Sequence, residues 1–202
     1  PNACSTCHTS ESNQWAAARV REWYGRNARG SQQFAEAFHA DETNAPDALT
    51  RLAQTAGDAG QPSIVRASAL ERLSRRPGPA AVAAASAAMS DESPDVRLAA
   101  VRVAEGLAPR ERLALAGAAL VDPARAVRLE AARLLASAGG AVANAEGINV
   151  LDRATDELRA SLRLHADRPE SRNTLAALLA SQGRPDEAVA EYQAALALAP
   201  DF

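Results

Sequence analysis

The strongest constraint on this chain's fold is a ladder with a fixed step. Arg66, Arg97 and Arg128 are evenly spaced along the chain. A valine stands directly before each of them (Val65, Val96, Val127), and an acidic turn residue lies further upstream (Asp58, Asp91, Asp122). A small apolar run follows each: Ala69-Leu70, Ala100-Val101, Ala131-Ala132. Such a period means one supersecondary unit used repeatedly, each copy hiding its apolar face only against a neighbour. Aromatic residues make up 3% of the chain, and alanine and leucine supply most of its apolar side chains. That diet suits close helix–helix packing and suits sheets poorly, so the fold class is all-α.

The second helices of the units are expected at 62–75, 93–107 and 123–137, each opening with Pro or a capping residue. Their partners are expected at 45–56, 78–89 and 109–121, across short turns rich in Asp, Ser, Gly or Pro. The recurring Asp and Val-Arg positions resemble HEAT repeats, in which Asp–Arg pairs brace the turns. This block is assigned 45–138.

Gly139-Gly140 and the weakly patterned stretch after it read as a linker, 139–151. From 169 to 202 the period changes. Leu175-Ala176, Leu179, Gly183, Ala188, Tyr192, Ala195 and Pro200 occupy the signature positions of one tetratricopeptide unit, which this stretch resembles. Shifting back by one such unit lays Asp152-Arg153-Ala154 on Asp186-Glu187-Ala188, so 152–168 reads as the second helix of a preceding unit. The expected architecture is an α-solenoid of HEAT-like hairpins followed by tetratricopeptide-like hairpins (152–202), with a distinct N-terminal segment, 1–44. Fewer than three tetratricopeptide units are unstable alone, so this block must lean on its neighbour or continue.

That N-terminal segment carries the chemistry. Both cysteines of the chain, Cys4 and Cys7, lie there with His8 immediately after, giving Cys-Ser-Thr-Cys-His. This is the c-type haem attachment motif. One helical turn separates the thiols so that each reaches one vinyl group of a porphyrin, and the next residue sets an imidazole under the iron. A Cys4–Cys7 disulfide and a zinc site are the alternatives. A zinc site would call for a second close-spaced ligand pair, and the sequence has none.

Trp15, Trp23, Tyr24, Phe34 and Phe38 crowd into the same segment, with only Tyr192 and Phe202 elsewhere. A porphyrin is a broad flat apolar surface that rings cover better than alanine does. Trp15, Trp23, Phe34 and Phe38 are therefore the candidate pocket residues, although a hydrophobic cap on the solenoid would look the same. For a sixth iron ligand His39 leads, at the end of an expected helix 32–40. His165 and Met89 are better explained by exposure and packing.

The formal charge of −3 and a pI near 5.7 imply neither nucleic acid nor an anionic membrane as partner. All 22 basic residues are arginine, interspersed with Asp and Glu along amphipathic helices. No apolar run is long enough to cross a bilayer. The chain starts at Pro1 and is expected to be a fragment or a processed product.

Taken together, the Cys4–His8 motif, Trp15, Trp23-Tyr24-Gly25, the stretch from Phe34 to His39 and the two repeat types resemble a bacterial family of multihaem c-type cytochromes with C-terminal HEAT and tetratricopeptide repeats. The resemblance implies one haem c in this chain and more in a preceding part, and an exported, periplasmic or extracellular location. The haem motif and the repeats together, the one supplying redox and the other surface, point to electron transfer, with a redox partner protein or other cytochrome copies meeting the repeat surface. Two other readings stay open: the C-terminal part of a multihaem reductase, and a haem-free interaction scaffold.

Overall fold

The computed structural model describes residues 3–25, 34–136 and 145–201. All regular elements among them are helical, and none of these helices is long and apolar enough to cross a membrane. The chain divides into two compact units, 1–36 and 37–202.

The first unit contains α1 (Ala3–Cys7) and α2 (Asn13–Tyr24). Ser12 starts α2, its hydroxyl accepting the Trp15 N–H at 3.1 Å and so satisfying one of the helix's orphan donors. Among the described residues of this unit, the buried hydrophobic one is Ala16. A third helix, α3 (Phe34–Glu42), begins in this unit and continues into the second. It starts later and ends later than the expected 32–40, and residues 32 and 33 lie outside the described residues.

The second unit is a stack of hairpins. The pairs are α4 (Ala48–Gly57) with α5 (Ser63–Ser74), α6 (Pro79–Ala88) with α7 (Pro94–Val103), and α8 (Pro109–Ala116) with α9 (Arg125–Leu135). Each second helix packs on the next, α5 on α7 and α7 on α9, and the first helices follow the same order. Pro occupies the first turn of α6, α7 and α8, where its missing N–H would have had no helical partner.

The period reappears as burial. Val65, Val96 and Val127 are buried, as are Leu70, Val101 and Ala132, and Leu73, Ala104 and Leu135. At another rung Ala69, Ala100 and Ala131 are all buried, because the helices approach too closely there for a larger side chain. Removing a valine or leucine of this ladder from water contributes about 1.5–3 kcal/mol.

Two expected helices end in 3-10 turns, Ala104–Gly106 after α7 and Gly117–Val121 after α8. The first closes on Gly106, where a Cβ would lie 3.0 Å from the Pro77 ring.

The boundary between units falls before the expected 44/45. Ala37, Ala40 and Asp41 of α3 are buried, and two arginines of the first hairpin anchor them. Arg72 reaches Asp41 at 3.1 Å and Glu42 at 3.2 Å, while Arg76 reaches Asp41 at 3.1 Å. The end of the expected haem segment is thus part of the repeat core.

The start of the expected linker, 139–144, lies outside the described residues. Its later part is helix. The next helix, α10 (Ala145–Leu164), begins well before the expected position 152 and buries Leu151, Ala154, Thr155 and Leu158. The final hairpin is α11 (Pro169–Ser181) with α12 (Pro185–Leu198). Ala176 faces this hairpin with Ala188 and Ala195, all buried, which lets the two helices approach closely.

Gly183, at φ 72°, makes the turn between them. Its N–H bonds the Ala180 carbonyl at 3.1 Å and the Arg184 N–H bonds Leu179 at 3.0 Å, the two bonds of a Schellman motif. Tyr192, at another of the signature positions, is exposed on α12.

Candidate functional site

In the first unit α1 is a single helical turn with Cys4 and Cys7 three positions apart on it. His8 extends the turn, its N–H bonding the Cys4 carbonyl at 2.9 Å. Both thiols are free; Cys4 is half-buried, and Cys7 and His8 are exposed. The His8 imidazole lies 4.9 Å from the Trp15 ring, tilted by 49°. The Ser12 cap fixes the backbone of Trp15, so the local sequence holds an aromatic surface beside the histidine.

Two thiols on one turn with an imidazole next in line are a donor set that fits thioether attachment and axial ligation of a c-type haem. Trp23 and Tyr24, at the end of α2, are 66% and 73% exposed. Phe34 is half-buried at the start of α3. Among the described residues no group of three or more His, Cys, Asp or Glu side chains is gathered for a metal ion.

Phe38 and His39 belong to the second unit. Phe38 packs against the repeat core, with the Arg72 guanidinium 4.5 Å above its ring. Its place is accounted for by the solenoid, which the aromatic content of the segment alone could not reveal. The His39 side chain is exposed, and its carbonyl accepts the Thr43 hydroxyl at 2.8 Å. Met89 packs against the core, and His165 is exposed in the turn after α10.

The arginine ladder is wired differently from a simple turn brace. Arg66 forks onto Asp91, and Arg97 onto Asp122 at 2.7 and 2.9 Å, so each arginine grips the turn of the next hairpin. Arg97 and Arg128 also donate to carbonyls of their own turns, Asp91 at 2.7 Å and Asp122 at 2.8 Å. The aspartates in turn accept backbone N–H groups, Ser93 at 2.9 Å and Ala124 at 2.7 Å.

Arg128 instead takes Glu157 of α10 at 2.8 and 3.0 Å. The ladder therefore runs across the change of repeat type. Even spacing could not show this, because the last partner sits on a helix of the other pattern.

These carboxylates are held below their ordinary range. For Asp122 the main cause is the Arg97 hydrogen bond, opposed by burial. For Asp91 burial pushes upward but is outweighed by Arg66 and the Ser93 N–H. Glu157 is lowered chiefly by Arg128. Glu130 is the most enclosed of the set. Burial raises it, yet Arg133 and Arg102 prevail, and Arg133 itself is raised by Glu130. Charge-paired networks of this kind fix register, and here the Arg66 Nε is the one ladder atom buried without a partner among the described residues.

The geometry defines an all-α helical-repeat protein. The tetratricopeptide repeat family matches residues 169–202, which are α11, α12 and the residues after them. No curated protein and no solved structure matches the chain.

Proposed function

We propose that this chain is a helical-repeat protein-interaction scaffold bearing a c-type haem on its N-terminal unit, and that it serves electron transfer. The scaffold half is supported by the tetratricopeptide match and the stacked hairpins. We assign the hairpins of the arginine ladder to the HEAT type on their Asp and Val-Arg positions.

One observation carries the haem half: Cys4, Cys7 and His8 follow one another on a single turn, with Cys7 and His8 exposed. Cys4 and Cys7 would hold the porphyrin and His8 its iron. Trp15, Trp23 and Phe34 would cover its apolar face. A bound haem would supply one-electron redox chemistry. A small unit whose described residues include Ala16 as the buried hydrophobic one also gains from a covalent cofactor as its core.

His39 is the residue we assign to the second axial position, because its side chain is not taken up by the core whereas Met89 is packed there. Further haems in a preceding part and export to the periplasm or beyond follow from the same reading, since c-type haem is attached outside the cytoplasm. The partner would be a redox protein or another cytochrome copy.

A pyridine haemochrome spectrum of the chain, made with a cytochrome c maturation system, tests this. The c-type signature should be present and absent from a Cys4→Ala, Cys7→Ala variant. In the haem-loaded chain His39→Ala should turn a low-spin spectrum high-spin; an unchanged spectrum removes His39 from the iron. The second reading is the same scaffold without haem. It is favoured by the family match, which lies in the repeats, and a chain without the spectrum would establish it.

A further inference from the structure

The imidazole of His8 is placed by its backbone but not aimed by it. Its N–H donates to the Cys4 carbonyl at 2.9 Å and its carbonyl accepts the Glu11 N–H at 3.0 Å, so the main chain is tied on both sides. The ring is another matter. Rotation about the Cβ–Cγ bond of a histidine is a soft, roughly two-fold torsion, so a fixed backbone leaves the plane of the imidazole open. A metal-ligating histidine is ordinarily aimed by a hydrogen bond from its second ring nitrogen. Among the described residues neither ring nitrogen of His8 has a hydrogen-bond partner; the ring packs instead on Trp15, 4.9 Å between centroids and tilted by 49°.

Trp15 is itself held in place. It is half-buried, and Ser12 sets its backbone: the serine hydroxyl accepts the Trp15 N–H at 3.1 Å, and the serine carbonyl accepts the Ala16 N–H at 3.1 Å. Ala16 beside it is buried, and α1 packs on α2. Both rings thus stand on main chain that is hydrogen-bonded in place. Their tilt is of the kind that aromatic quadrupoles favour over a face-to-face sandwich.

We propose that Trp15 is a positioning residue for the axial ligand: beyond the apolar cover assigned to it above, its indole holds the plane of the His8 imidazole. The proposal rests on the haem half of the functional reading. Cys4 and Cys7 fix where a porphyrin attaches, and neither thioether governs rotation of the His8 ring. That rotation decides how the π orbital of an axial imidazole lines up with the d orbitals of iron, and so sets the anisotropy of the ferric EPR signal. A ring held in advance gives one environment at the iron and leaves no ordering of the side chain for the moment of ligation.

The test has a haem-free arm and a haem arm. In the chain produced without haem and kept reduced, NMR should find the His8 ring protons shifted upfield by the indole, and Trp15→Leu should abolish the shift. In the haem-loaded chain Trp15→Leu, which keeps apolar bulk, should leave haem content and circular dichroism unchanged while the single ferric EPR signal broadens or splits. Trp15→Phe should restore one signal, and Gln14→Ala, at an exposed neighbour on α2, should change nothing. An EPR signal that Trp15→Leu leaves unchanged, or an unshifted His8 ring, overturns the proposal. Should Trp15→Leu take up no haem, Ser12→Ala, which loosens the backbone of Trp15, decides in the same way: a broadened signal supports the proposal and an unchanged one overturns it. An unaltered chain without haem removes the functional reading and this proposal with it, whereas unchanged EPR spectra from fully loaded samples remove the role of Trp15 alone.

Discussion

Arg97 and Asp122 face each other across two hairpins in a fork of two hydrogen bonds, 2.7 and 2.9 Å long, with both side chains nearly buried. The same aspartate accepts the Ala124 N–H, so one carboxylate closes its own turn and receives the preceding hairpin. Asp122→Ala should cost about 2–4 kcal/mol, because it leaves a buried guanidinium without its counter-charge. Urea denaturation measures this, and a loss below about 0.5 kcal/mol would show the fork to be incidental.

The depressed carboxylates fix the sign of the acid response. Asp91, Asp122, Glu130 and Glu157 hold protons more weakly folded than unfolded, where the ordinary values are 3.8 for Asp and 4.5 for Glu. Their stabilisation is complete above those unfolded values and is lost as pH falls through the folded ones. Melting temperature should hold between pH 7 and 6 and drop steeply from about pH 5 to 3. Asp122→Asn should flatten that drop. A melting temperature that rises on acidification would contradict the assignment.

Burial at the repeated valine position is a second independent check. Val65→Asp, Val96→Asp and Val127→Asp should each cost several kcal/mol by placing an unpaired charge in the core, whereas Ile64→Asp, at an exposed neighbour, should change stability by about 0.5 kcal/mol or less. Equal effects at Ile64 and Val65 would place the register one residue off.

Gly183 sits in the left-handed region that a side chain disfavours, and its backbone makes half of the Schellman motif that ends α11. Gly183→Ala should destabilise the last hairpin by about 1 kcal/mol. Hydrogen exchange of α11 and α12 amides resolves it, with faster exchange confined to this hairpin as the expected outcome.

Much of the fold was legible in the sequence, because a solenoid repeats its instructions. The valine and alanine rungs recur at one fixed interval and are buried wherever they recur. The positions of Leu175, Leu179 and Gly183 foretold a hairpin that the structure contains.

What the pattern hid were relations between units of the repeat. Arg66 and Arg97 bind the next turn, and Arg128 crosses to Glu157, a residue outside the period. The early start of α10 was hidden by the glycines before it, and the capture of Phe38 by Arg72 needed the third dimension. At the candidate site, Cys4, Cys7 and His8 declare themselves by spacing alone. The exposure of Trp23 and Tyr24 could be read only from the structure.

The central claim is that Cys4 and Cys7 each form a thioether to one haem. Its most direct test is the intact mass of the denatured chain after production with a cytochrome c maturation system. The expected result is the polypeptide plus one haem, retained in denaturant and lost when both cysteines are alanine. A mass equal to that of the polypeptide alone, with both thiols free to alkylate, would contradict it.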